Sequence, residues 1–340
     1  MEETEPSFKD ILESEQPPEW IPFIVLGSVM TLAILALDVW AFVKHKKYST
    51  KFPLQFFCTF GILQVYPFFS LMALIGMIVP RAHELAEFSA ESLECLTFLF
   101  FLRLCLTYLG GKKATKSILE GSDMHINVPP LCCLVCLPSV KFTRKFFIFC
   151  EFLIYLYTVF RLALGFLELV MLTDAAEEFP HLEKGTHVIT GKFSAVCHTL
   201  LLVLLFFAVY GLSGIYHTAE ELLKNRGIVK KFLVYKIFTL VVKFQSVIFI
   251  SLIHHDVIGN KKFGFNEIWS ADLRVRNCLA LAICVEAIFA FPLALKFYNT
   301  DDYVPGNVMQ EVIELEDTRH DIVANVVADQ QPETMDTIKA

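Results

Sequence analysis

The sequence predicts an all-α polytopic membrane protein of seven transmembrane helices, with the N-terminus outside and the C-terminus in the cytoplasm. Three observations predict it. Of the 340 residues, 55% are hydrophobic and 33 are Phe, while only 19% are charged; ordinary soluble chains carry about 25% charged residues. The apolar residues are gathered into runs of ~20 or more, enough helix to cross a hydrocarbon core of ~30 Å. Finally, Lys and Arg alternate in density from one connecting loop to the next.

Residues 1–20 form an acidic N-terminal segment whose one cation is Lys9. It has no basic region ahead of an apolar stretch, so no cleavable signal peptide is expected. Apolar runs then follow at 21–43, 52–79, 85–109, 146–172, 188–213, 231–253 and 276–298, which bound a membrane domain over 21–298. The second run contains Pro53, Pro67 and two glycines. Inside a helical bundle a proline of this kind predicts a kink that neighbouring helices accommodate. The tail, 299–340, is polar and acidic and lacks apolar residues for a core of its own, although 307–326 has the pattern of a short surface helix. The net charge of −7 comes mostly from the two ends and gives no basic footprint for nucleic acid. No Asn-x-Ser/Thr sequon occurs, so N-glycosylation is not expected.

Orientation follows from the rule that cytoplasmic loops hold more Lys and Arg. Segment 44–51, "KHKKYSTK", has four, 110–145 has six and 224–231 has four. The opposite side has Lys9, Arg81, Lys184, Lys261, Lys262 and Arg274, mixed with acids. The N-terminus is therefore assigned to the outside, and the loop 110–145 and the tail to the cytosol.

All ten cysteines fall in the spans or on the cytoplasmic side, so no disulfide is expected. Cys132, Cys133 and Cys136 sit in "LCCLVCLPSVKFTRK", next to Lys141, Arg144 and Lys145. Adjacent thiols with only His125 nearby make a poor tetrahedral zinc set. Juxtamembrane cysteines beside basic residues are instead typical targets of S-palmitoylation, and we expect lipid on these three. "HHD" at 254–256 with His181 and His187 is a second loose zinc pattern on the outer side, with His198 too deep to join it. No cofactor and no metal are assigned.

Three stretches together resemble the alpha subunit of the organic solute transporter, a seven-helix solute carrier. They are "TYLGGKKATKSIL" after the third run, "PPLCCLVCLPSVKFTRKF" before the fourth, and "KKFLVYKIFTLVVKFQSVIF" in the sixth. The similarity covers roughly 20–298 and leaves out both ends. It implies facilitated, sodium-independent movement of steroid-derived anions such as bile acids and sterol conjugates at the plasma membrane. It also implies a single-pass beta subunit needed for surface delivery and activity, and it implies no enzymatic reaction.

Ionisable groups at mid-bilayer cost a few kcal/mol each by insertion scales, so each needs a reason. At ~1.5 Å per residue, Glu94, Arg161, Lys243 and Glu286 come near the midplane. Two are acids and two are bases, and two readings stand. In one, the four form a neutral paired network that fixes helix packing. In the other, Lys243 is left for the carboxylate or sulfate of an amphipathic anion whose rings lie on Phe and Leu. Lys236, seven residues earlier on the same face, can snorkel to the cytosol. Gln245 and Tyr235 either add hydrogen bonds or join helices. Glu87, Glu91 and Glu94 form an i, i+4, i+7 stripe that guides cations or pairs with Arg161 and Lys243. Asp38 and Arg103 lie near the inner ends and are read as interfacial.

Other classes fit less well. A receptor of the rhodopsin type is disfavoured by "LTYLGGKK", which lacks an acid–Arg–aromatic triplet, and by "LKFYNT", which lacks Asn-Pro before its Tyr. A palmitoylated membrane-organising or trafficking protein, whose lysines only pack, is the main alternative. An intramembrane hydrolase is remote, because no nucleophile, base and orienting group converge by spacing. No inverted repeat is visible.

Overall fold

The computed structural model describes residues 21–124, 140–178, 183–254 and 271–303. The acidic N-terminal segment, Cys132, Cys133 and Cys136, most of the tail, and His181, His255 and Asp256 lie outside the described residues. The fold is helical throughout, apart from one two-residue ladder.

The first apolar run is helix α1, Ile21–Lys46, ending in Lys44, His45 and Lys46. Its exposed Val25, Val29 and Leu32, then Val39 and Val43, recur at helical spacing and form an apolar outer stripe. The second run is broken in two, α2 Pro53–Leu63 and α3 Val65–Ile78. The break falls where Pro67 demands it: proline has no N–H to give the carbonyl four residues back, Leu63, and its ring clashes there. Gln64, at the junction, donates to Asp38 of α1 at 2.8 Å. A 3-10 turn, Pro80–Ala82, leads into α4, His83–Tyr108.

The double glycine that ends α4 has a conformational reason. Gly110 (φ 84°) and Gly111 (φ 100°) both lie in the left-handed region, which costs glycine least. They turn the chain by 69° into a short basic helix, α5, Lys112–Leu119. Lys112 then meets Glu151 at 2.7 Å, fixing this helix against the base of the next. The cysteine-bearing loop leaves and returns through the two-residue strands β1, Asp123–Met124, and β2, Val140–Lys141, paired antiparallel with Asp123 opposite Lys141.

Helix α6, Arg144–Glu178, begins with Thr143 accepting from the Phe146 N–H at 3.2 Å. It runs for 35 residues, and α7, Glu183–Thr218, for 36. At ~1.5 Å per residue both are longer than a ~30 Å hydrocarbon core requires. They pack very closely: a Cβ on Gly211 would stand 2.7 Å from the Cys150 carbonyl oxygen. A one-turn helix, α8, Glu220–Leu223, and the left-handed Gly227 lead into α9, Ile228–His254. Helix α10, Ala271–Phe297, completes the bundle.

Five helical stretches are long and apolar enough to cross a membrane: Ile21–Lys46, Pro53–Ile78, Arg144–Leu167, Thr199–Thr218 and Val275–Phe297. The bent pair Pro80–Tyr108 and Lys112–Leu119 makes a sixth if taken as one span. The remaining long helix, α9, carries Lys230, Lys231, Lys236 and Lys243.

Helix α10 is central, lying against α1, α3 and α9. An aromatic layer ties the bundle together at mid-depth. Tyr66 of α3 lies 4.9 Å from Phe238 of α9 and 5.7 Å from Phe291 of α10, centroid to centroid. Phe98 of α4 meets Tyr157 of α6 at 5.6 Å and Tyr235 of α9 at 6.2 Å. Thr31, Ser70 and Cys284 form a small polar contact where α1, α3 and α10 meet, with the two hydroxyls 2.8 Å apart. Below the bundle, Tyr303 folds back on the first loop: it stacks on Tyr48 at 5.1 Å and its hydroxyl lies 3.0 Å from His45 Nδ1.

Candidate substrate cleft between four helices

Helices α3, α4, α9 and α10 part toward the end of the bundle that bears the Pro80–Ala82 turn. They leave an open cleft between them. Its walls are mostly apolar, with Phe69, Met72, Val242, Leu279 and Ile283 among them. Four ionisable side chains also line it: His83, Glu87, Glu91 and Lys243. Phe69 of the cleft wall meets Phe238 of the aromatic layer, with 5.7 Å between ring centroids.

The charged groups arrive in register because α4 and α9 run in opposite directions with long side chains bridging them. Glu91 accepts from Lys243 of α9 and also from Arg161 of α6, so one carboxylate serves two cations. One turn deeper, Glu94 accepts from Lys236 at 3.2 Å. Tyr235 donates its hydroxyl to the Glu94 carbonyl at 3.0 Å. The Lys236 ammonium also stands 4.7 Å from the Phe98 ring centroid, a favourable cation–π distance. At the inner end of the same seam, Lys231 donates to the Tyr108 hydroxyl at 3.1 Å. Glu286 accepts from Gln245, on the interface of α9 and α10.

Exposure separates the cations. The Lys243 side chain is 44% exposed, whereas that of Arg161 is 11% and that of Glu91 is 14%. Lys231 is fully buried. Of the three cations that pair with Glu91 or Glu94, Lys243 is the one most open to the cleft. Its loss of Glu91 to a competitor would also leave Glu91 with Arg161, so neither group would be stranded.

Of the six residues named as candidate substrate contacts, Lys243 lines the cleft; Lys236, Glu94 and Arg161 stand in the seam behind it, and Gln245 and Glu286 meet between α9 and α10. The sequence left Lys243 to substrate or to a pair with Glu94, Glu286 or the Glu87, Glu91, Glu94 stripe. The structure gives Glu91 of that stripe, one turn outward from Glu94, because an extended lysine side chain reaches about one helical pitch, ~5.4 Å. Glu91 was visible only as one member of the acidic stripe, and nothing in the spacing marked it as the shared acceptor. Lys231 escaped notice because it sits at the end of a basic loop, where lysine is ordinarily solvated. The seven described cysteines, 58, 95, 105, 150, 197, 278 and 284, are free thiols. Among the described residues no cluster of three or more metal-ligating side chains occurs.

The sequence was compared with known proteins. Residues 23–303 match the family described as "Organic solute transporter Ostalpha". A curated relative, "Organic solute transporter subunit alpha" of Danio rerio, is 24% identical over 185 residues. That alignment covers 54% of this chain and 55% of the relative, so the match spans about half of each. No solved structure matches the chain.

Proposed function

The chain belongs to the organic solute transporter Ostalpha family, a family of membrane transporter subunits, and from that premise we propose that it carries organic anions with a steroid-like apolar body. The observation that carries this reading is the cleft with Lys243 in its wall. An amphipathic anion needs an apolar slot for its rings and one accessible cation for its carboxylate or sulfate. Ligand sites have mostly apolar walls with a few placed polar groups, and the cleft has that lining.

The proposed exchange is simple. The substrate anion takes the Lys243 ammonium, and Glu91 keeps Arg161 as its counter-charge. Lys236, held by Glu94, and the aromatic layer close the path beneath. Passage to the other side then requires α9 to separate from α4 along the seam, with Arg161 holding the charge of Glu91. Facilitated movement by this route needs no sodium site.

The remaining assignments are part of the same proposal. Seven helices cross the membrane, including the lysine-bearing α9 and the broken Pro53–Ile78. The N-terminus is outside, the cleft opens outward, and the tail is cytosolic. Cys132, Cys133 and Cys136 are acylated and hold the loop that starts at the β1–β2 ladder against the inner leaflet. The chain acts at the plasma membrane with a single-pass beta subunit. The test is uptake of a labelled steroid sulfate by cells expressing the chain with and without such a partner, in sodium and in choline medium. Uptake that needs the partner and ignores the cation swap is expected. A chain at the cell surface that moves no steroid anion under any of these conditions would sink the reading.

A further inference from the structure

We propose that Glu286 is a protonated, neutral acid closed into a cyclic pair with the Gln245 side-chain amide, which keeps one further negative charge away from the cleft network. The geometry carries the first half of this. Gln245 donates its Nε2–H to Oε1 of Glu286. The other two oxygens, Oε1 of Gln245 and Oε2 of Glu286, are buried and have no hydrogen-bond partner among the described residues. Both are acceptors when the carboxyl is ionised, so neither can satisfy the other. One proton, taken from solvent onto Glu286 Oε2, turns that oxygen into a donor to Gln245 Oε1. Two buried orphans then become one hydrogen bond, and the planar acid and amide close an eight-membered ring. No other bond changes.

Among the described residues, Gln245 is the one hydrogen-bond partner of Glu286. Helices α2 and α3, which pack on α10, contain no charged residue. From α1, Thr31 faces α10, and the acid Asp38 is held by Gln64. From α9, Lys236 is paired with Glu94 and Lys243 with Glu91. On α10 itself, Arg276 pairs with Glu84 at 3.6 Å, and Cys284 bonds toward Ser70. A buried carboxylate without a cation or a second donor is among the costliest groups a membrane interior can hold.

The second half rests on the anion-transport reading. Arg161, Lys236 and Lys243 are balanced by Glu91 and Glu94 of the seam and by Glu87, which lines the cleft. An ionised Glu286 would tip that balance to net negative beside the path of an anion, and a neutral one does not.

Infrared difference spectra of the full chain in lipid membranes, wild type against Glu286→Gln, test the protonation directly. The carbonyl band of a protonated carboxyl group, sensitive to deuterium exchange, is expected at neutral pH in the wild type and absent from the variant. Spectra without that difference overturn the proposal. Glu286→Gln also preserves a neutral cyclic pair, amide to amide, so the thermal midpoint of the detergent-solubilised variant should stay close to wild type, above that of Gln245→Leu. A midpoint lowered as far as that of Gln245→Leu would show that a carboxylate is needed there, against the proposal. Should that variant fail to reach the membrane, Gln245→Leu removes the amide partner and should shift the wild-type band; an unshifted band overturns the pairing. A carboxyl band present in a wild-type chain that moves no anion would leave the acid–amide pair standing and remove the transport reading alone.

Discussion

Glu91→Gln is the substitution with the largest expected consequence for stability. It takes the negative charge from both Lys243 and Arg161. The two losses are unequal, because the Arg161 side chain is only 11% exposed and that of Lys243 is 44% exposed. Breaking a buried pair strands the remaining charge at ~3–5 kcal/mol, whereas an exposed pair contributes ~0–1 kcal/mol. Arg161 keeps a further contact beyond this pair, so its loss falls at the lower end of the first range and the sum is about 3 kcal/mol. Lys243→Gln leaves Glu91 with Arg161 and should cost only about 1 kcal/mol. The assay is the thermal midpoint of detergent-solubilised protein, followed by monodisperse yield, with surface biotinylation in parallel. Glu91→Gln should fall well below Lys243→Gln in both, and the double variant Glu91→Gln, Arg161→Gln should recover part of the loss. Equal damage from Glu91→Gln and Lys243→Gln, or no recovery in the double variant, would refute the shared-acceptor account.

Three further outcomes are expected. Gly211→Ala sets a Cβ 2.7 Å from the Cys150 carbonyl, and pushing α7 off α6 should cost ~1–3 kcal/mol as overpacking, read as a lower thermal midpoint; an unchanged midpoint would mean that the two helices are not so close. Acyl exchange after neutral hydroxylamine should label the wild type and fail when Cys132, Cys133 and Cys136 are all changed to Ser; an undiminished label places the lipid elsewhere. Epitope tags at the two ends should stain only at the N-terminus in unpermeabilised cells, and staining of the C-terminal tag would reverse the proposed orientation.

Much of the bundle was legible because its elements follow from local chemistry. Apolar runs mark where helix is affordable in lipid, and the glycines at 110 and 111 and the proline at 67 mark where it must turn or break. The ends of α6 and α7 were not legible. The apolar pattern fades after 172, yet "DAAEE" still favours helix, so α6 continues to Glu178. Lys236, Lys243, Glu94, Arg161, Gln245 and Glu286 stood out as charged or polar groups in apolar surroundings, which is a property of sequence. Which of them meet is a property of helix tilt and side-chain reach, and spacing left the partner of Lys243 open among Glu94, Glu286 and the acidic stripe that contains Glu91. The contact of His45 with Tyr303 joins residues 258 apart; no local pattern announces it. The unsatisfied oxygens of Gln245 and Glu286 likewise appear only once both helices are in place.

The most direct test of the central claim is steroid-sulfate uptake by Lys243→Gln, divided by the amount of protein at the surface, beside wild type and Lys243→Arg. The account predicts near-normal surface level, uptake reduced about tenfold or more in the Gln variant, and partial activity with altered substrate preference in the Arg variant, whose planar donor group presents the charge differently. Uptake per surface molecule equal to wild type in Lys243→Gln would contradict it and return Lys243 to a purely structural pair with Glu91.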